Sequence, residues 1–68
     1  KGFKEQIRLF SKSPNNPQLN NHALRNEYEG YRSINITADW RAIYREVHIG
    51  DDTVAYFVAL GTHKQLYG

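Results

Sequence analysis

Cysteine is absent from the 68 residues. That excludes disulfide staples, thiolate nucleophiles and cysteine–zinc fingers. Methionine is absent as well, and proline occurs only twice. There is no long hydrophobic run: the longest, Val54 to Leu60, has seven residues, where a membrane-spanning helix needs roughly 20. Neither sign of charge dominates. Nine Lys+Arg against seven Asp+Glu leave +2 and a pI near 9.1, too small an excess to mark a generic nucleic-acid binder. What is present is 40% hydrophobic, 13% aromatic and 24% charged, the make-up of one small folded domain over residues 1–68 rather than a disordered tail. A chain of this size buries only about 60% of its unfolded surface, so its stability is on the order of a few kcal/mol.

No signal peptide or transit segment is visible, which makes a cytoplasmic address the default. The chain opens on Lys1-Gly2-Phe3, in mid-pattern and without Met, and reads as a fragment or an N-terminally trimmed chain.

Hydrophobic spacing divides the sequence. Phe3, Ile7 and Phe10 recur at i, i+4 and i+7, with Leu9 beside them, which predicts an amphipathic helix over Lys1–Phe10. Ser11 to Asn21 holds two prolines, two serines and four asparagines, and reads as a loop with a short turn near Gln18-Leu19. From Tyr31 the period becomes two. Ile34 and Ile36 alternate with Ser33, Asn35 and Thr37 in a half-buried strand. Ala38-Asp39 supplies a tight turn. Trp40–Ile49 is a second strand, with Ile43, Val47 and Ile49 on one parity. Gly50-Asp51-Asp52 turns the chain again. Thr53–Leu60 is almost wholly apolar and predicts a central strand buried on both faces, ended by Gly61. Thr62–Tyr67 is a tail or one helical turn. The expected fold is α+β: an N-terminal helix packed on a three-stranded antiparallel meander.

Three histidines carry most of the chemical interest. His22 lies in the Asn/Pro-rich loop and His63 just past the last strand; His48, beside a turn, reads as structural. Loops at element ends often carry sites. His22, His63 and Asp39 make a conceivable metal set of two imidazoles and a carboxylate, but no HxH or HxxxH spacing supports it, and no metal is assigned. The same three groups suit proton transfer near neutral pH. Arg32 and Arg41 match phosphate oxygens with their planar forks. Tyr28, Tyr31, Trp40, Tyr44 and Tyr67 offer faces for stacking bases. The plainer alternative makes Trp40 and Tyr44 core residues and puts Arg32 and Arg41 on a solvated sheet face.

The run from His22-Ala23-Leu24-Arg25-Asn26 through Gly30-Tyr31-Arg32-Ser33-Ile34-Asn35-Ile36 to Asp39-Trp40 resembles the middle of RelE/ParE superfamily toxins. The likeness is to the YafQ-like branch and its H-x-L-x-G…G-Y-R-s-x-H-I-x-x-D-W pattern. Gly61-Thr62-His63-Lys64-Gln65-Leu66-Tyr67 resembles that branch's G-T-H-x-x-L-F/Y close. The resemblance implies a toxin of a type II toxin–antitoxin module with a cognate antitoxin as partner. RelE-like members are endoribonucleases acting on mRNA in the ribosomal A site, whereas ParE-like members poison gyrase. It implies a catalytic set of His22, Asp39, His63 and Tyr67, with Trp40 beside it and no cofactor; Arg32 and Arg41, by their chemistry, and Asn35 are read with Trp40 as binding substrate. In that chemistry a ribose 2′-OH attacks the adjacent phosphate, Asp39 or His22 takes its proton, and His63 protonates the leaving oxygen. The alternative implied is a remnant that acts only by binding antitoxin or gyrase.

Three departures from the pattern stand out. Asn35 occupies a position where many members have histidine, and asparagine binds a phosphate or hydroxyl but does not shuttle a proton. Asn26 replaces a glycine, in a turn where asparagine tolerates left-handed geometry. The family's first strand has no counterpart, which implies an exposed sheet edge prone to pairing with another chain and so to oligomers.

Overall fold

The computed structural model describes residues 2–67; Lys1, where the expected helix begins, and Gly68 lie outside the described residues. The first helix, α1, spans Gly2–Lys12. Its apolar stripe turns Ile7, Leu9 and Phe10 onto the sheet, while Phe3 stays exposed. Pro14, which lacks a backbone N–H, lies just past its end. A 3₁₀ turn follows at Pro17–Leu19, started by Asn16, whose side chain accepts from the Gln18 N–H, and closed by Asn20 in the left-handed region at φ 48°. Asparagine suits both ends, as a cap and as a residue tolerant of positive φ. The turn drops Leu19 into the core, where it is fully buried.

Four strands follow: β1 at His22–Ala23, β2 at Arg32–Asn35, β3 at Trp40–Ile49 and β4 at Asp52–Thr62. They form one antiparallel sheet in chain order, β1-β2-β3-β4. A five-residue helix, α2 at His63–Tyr67, closes the described chain. The α+β class and the meander are as expected from sequence. The sheet has four strands rather than three, because His22–Ala23 pairs with Ser33 and Arg32, and two residues are too few to show a period.

The expectation of a central, doubly buried strand at Thr53–Leu60 is corrected. A meander puts its last strand at the edge, so among the described residues β4 pairs only with β3. Helix α1 covers one face, and five residues of α2 cannot cover the other. Val54, Tyr56, Phe57, Val58 and Leu60 remain exposed. The strand also runs through Gly61 to Thr62.

Leu19, Ile34, Ile36, Ala42 and Tyr44 form the core on the α1 side, joined by Ile7, Leu9, Phe10 and Ala55. Phe10 meets Tyr44 edge-on at 4.9 Å and Phe57 at 5.6 Å. Residues of opposite parity point to the other face, and there Ser33 and Ile43 are fully buried. Burial on this second face fades toward the β3–β4 turn: Val47 is half-buried and Ile49 exposed. Tyr44 pairs with Phe57 and Ile43 with Ala59, which leaves Val58 as a one-residue bulge.

Candidate functional site

Helix α2 is seated by the residues of the Gly61-Thr62-His63 block, each for a distinct reason. Thr62 Oγ1 accepts from the Gln65 N–H at 3.1 Å, and Gln65 Oε1 accepts from the Thr62 N–H at 3.0 Å. This is a reciprocal capping box, which satisfies backbone donors that a helix start leaves open. Gly61 lies beneath: a Cβ there would meet Gln65 Oε1 at 3.1 Å and Leu66 at 3.4 Å. At the far end, the Tyr67 hydroxyl donates to Ser33 Oγ at 3.1 Å. The helix is thus fixed at both ends on the face opposite α1.

His63 and Tyr67 stand one turn apart, with ring centroids 4.7 Å from each other. The His63 N–H donates to the Asp39 carbonyl at 3.2 Å, which ties the start of α2 to the β2–β3 turn. Asp39, Trp40, Arg41, His63 and Lys64 line one open hollow of about 400 Å³. Trp40, expected by the plainer reading in the core, is 42% exposed there. Arg41 Nη1 donates to the carbonyls of Thr37, Ala38 and Trp40. The guanidinium therefore clamps the turn that carries Asp39 and also lines the hollow.

His22 reaches the same face by strand pairing. Its cross-strand partner is Ser33, whose hydroxyl receives the Tyr67 bond, and directly paired residues share a face. His22 Nδ1 lies 2.8 Å from the Asn20 carbonyl. A carbonyl only accepts, so the proton sits on Nδ1 and the neutral ring keeps its lone pair on Nε2. Among the described residues no group of three His, Cys, Asp or Glu side chains is gathered tightly enough to hold a metal ion.

Two of the sequence-predicted binding residues are placed differently from the rest. Arg32 pairs with Tyr44 and so projects on the α1 side. Its Nε donates to Asn21 Oδ1 at 2.8 Å, and Asn21 Nδ2 donates to the Tyr44 hydroxyl at 2.8 Å. Arg32 does not join the hollow of Asp39 and His63. Asn35 is on the correct face, opposite Arg41, but its Oδ1 is buried and, among the described residues, unbonded. His48 is held by Thr53 Oγ1 at 3.1 Å, away from these groups. Tyr44 is 1% exposed and belongs to the core.

Sequence reasoning missed Ser33, Asn21 and the Thr62–Gln65 pair. The last was legible as T-x-x-Q ahead of an apolar residue. Ser33 and Asn21 carry no local signal, because their partners are distant in the chain.

A second hollow, of about 510 Å³, lies on the other side of Tyr67, lined by Arg25, Asn26, Glu27, Tyr28, Leu66 and Tyr67. Tyr28 meets Tyr67 edge-on at 6.1 Å and Tyr31 at 6.4 Å. Among the described residues no helix is long and apolar enough to cross a membrane.

Residues 3–68 match the family model described as the bacterial toxin of type II toxin–antitoxin systems, YafQ. No curated protein sequence matches the chain. Among solved structures, the chain is similar to YafQ from E. coli strain BL21(DE3), at 26% identity and a TM-score of 0.75, covering 98% of this chain and 72% of that one. It is also similar to a copper-bound mutant toxin from Helicobacter pylori, at 26% identity and a TM-score of 0.67, covering 98% of this chain and 73% of that one. A YoeB/ParE toxin from Agrobacterium tumefaciens shares the fold at 24% identity and a TM-score of 0.69, over 91% of this chain and 70% of that one.

Proposed function

Because the chain belongs to the YafQ family of bacterial toxins of type II toxin–antitoxin systems, we propose that it is an endoribonuclease that cuts mRNA in the ribosomal A site and is silenced by a cognate antitoxin. The observation that carries this reading is the hollow in which Asp39, Arg41 and His63 meet beside Tyr67. It gathers a carboxylate, a guanidinium and an imidazole, the groups that splitting a phosphodiester by its own 2′-hydroxyl requires.

In this mechanism the 2′-oxygen attacks the adjacent phosphorus and the bond to the 5′-oxygen breaks. The products are a 2′,3′-cyclic phosphate and a 5′-hydroxyl. His63 donates the proton that the leaving oxygen takes up. Two groups compete for the 2′-OH proton: the Asp39 carboxylate in the hollow, and His22, whose Nε2 lone pair is kept free by the bond from Nδ1–H to Asn20. Arg41 neutralises the charge that builds on the phosphorane, a role that passes to it from Arg32, which is engaged by Asn21 on the other face. Trp40 and Tyr67 hold the nucleotide by their rings. Asn35, with its oxygen buried, accepts no proton.

Induction in a bacterial host, with primer extension on a translated message, tests the reading. New 5′ ends are expected within the message for the parent chain and their loss for His63→Ala. Growth arrest with unchanged mRNA ends would overturn the nuclease reading in favour of a toxin that only binds its target.

A further inference from the structure

We propose that Lys64 is a further catalytic residue, whose ammonium takes the second negative charge that appears on the phosphorane. This rests on the endoribonuclease reading and deepens it at the same hollow.

The demand comes from the chemistry. A phosphodiester carries one negative charge, shared by its two non-bridging oxygens. Once the 2′-oxygen has lost its proton and attacked, the pentacoordinate phosphorus carries two. One guanidinium balances one of them. A group that meets the added charge acts more strongly on the transition state than on the bound substrate, and such a group raises kcat.

Cations are few at the hollow. Arg32 is held by Asn21 on the α1 side of the sheet. Arg41 lines the hollow, but its Nη1 is taken by the carbonyls of Thr37, Ala38 and Trp40 at 3.0 to 3.3 Å, so part of its fork is already engaged. Lys64 lines the same hollow with Asp39 and His63. Arg41 and Asp39 cancel, so with neutral His63 the lining is net positive only through Lys64. The bonds that build the rim, from Arg41 to the β2–β3 turn and between Thr62 and Gln65, do not involve Lys64. It is exposed, and its three N–H donors on a flexible stem suit a bound anion.

The helix sets the direction. An α-helix turns about 100° per residue. His63, Lys64 and Tyr67 therefore fall within one arc of about 100°, while Gln65 and Leu66 lie over Gly61. The His63 N–H is anchored on the Asp39 carbonyl, which sets that arc beside the β2–β3 turn. A phosphate whose leaving oxygen meets His63 then has Arg41 on the sheet side and Lys64 on the helix side, one cation for each non-bridging oxygen.

The test uses the 68-residue chain and ribosomes programmed with a short message that carries sulfur in place of either non-bridging oxygen at the cut. Lys64→Gln should lower kcat by about 10²-fold with a smaller change in KM, and Lys64→Arg should restore most of the loss. Sulfur at either position should slow the parent. In Lys64→Gln one of the two positions should cease to matter, while the one facing Arg41 still does. A merely structural lysine would leave both sulfur effects in place. Binding is read separately on an RNA whose 2′-position at the cut is O-methylated. There Lys64→Gln should reduce the slope of log K against log salt by about 0.7, the mark of one phosphate contact on a single strand. That reduction without cleavage by the parent chain would overturn the nuclease reading and, with it, the catalytic role, leaving Lys64 as a phosphate contact. Cleavage by Lys64→Gln at the parent kcat, with both sulfur effects intact, would overturn the inference and leave the nuclease.

Discussion

The Tyr67 hydroxyl donates to Ser33 Oγ at 3.1 Å, joining residues 34 positions apart. It is the bond that brings the end of α2 down onto the row shared with His22. Tyr67→Phe keeps the ring and strands the fully buried Ser33 hydroxyl. A loss of about 1–3 kcal/mol is expected, read as a lower urea midpoint, with cleavage retained better than in Tyr67→Ala.

Gly61→Ala tests the seating of the same helix. The added methyl would meet Gln65 Oε1 at 3.1 Å, the atom that accepts from the Thr62 N–H. Relief of that contact opens the capping box, which is worth about 1 kcal/mol. For a domain of this size the melting temperature should fall by roughly 4–8 °C per kcal/mol. Gln65→Ala should reproduce much of the drop, and Gly61→Ala should add little on top of it, because both act through one contact.

Ile34 is fully buried at the centre of the α1-side cluster. Ile34→Ala is expected to cost about 2–5 kcal/mol, enough to unfold a chain with so small a core. Circular dichroism at 25 °C should show lost structure, and a retained cooperative melt near the parent midpoint would refute the packing described.

The acid role proposed for His63 has a chemical signature. His63→Ala should slow cleavage by about 10²–10⁴-fold. Replacing the leaving 5′-oxygen by sulfur, which departs without a proton, should restore most of that loss. The same substrate should give His22→Ala no such relief. If both variants are rescued alike, the division of acid and base is wrong.

Among the described residues, strand β4 presents an unpaired edge with Val58 exposed at its bulge. Exposed apolar edges of this length invite pairing with another chain. Sedimentation velocity should show self-association that grows with concentration, and Val58→Lys should reduce it while leaving the melting temperature within a few degrees.

Much of this fold was legible in the residues. The i, i+4, i+7 stripe announced α1, the alternation about Ile34 announced β2, and Gly50-Asp51-Asp52 announced the β3–β4 turn. What was not legible depends on neighbours. The run Val54–Leu60 is as apolar as a central strand, yet only the strand order decides that it lies at an edge. Arg32 sits in the midst of residues assigned to the site, but one step of parity sends it to the other face, where Asn21 holds it. His22 and Ser33 meet only through β1, whose two residues are too short to show a pattern. The separation of Asp39 and His63 along the chain likewise conceals that one backbone bond joins them.

The spare residue at Val58 has a geometric consequence. From the turn at Gly50, regular pairing counted residue by residue would set Gly61 opposite Trp40; the displaced register sets it opposite Arg41 instead. Strand residues alternate sides, so that single offset reverses the direction in which the chain leaves the sheet. Without it, α2 would emerge toward α1, and His63 would be separated from His22 by the thickness of the sheet. One unpaired residue in the edge strand thus acts as the parity bit of the molecule, deciding on which side of the sheet His63 and Tyr67 are set.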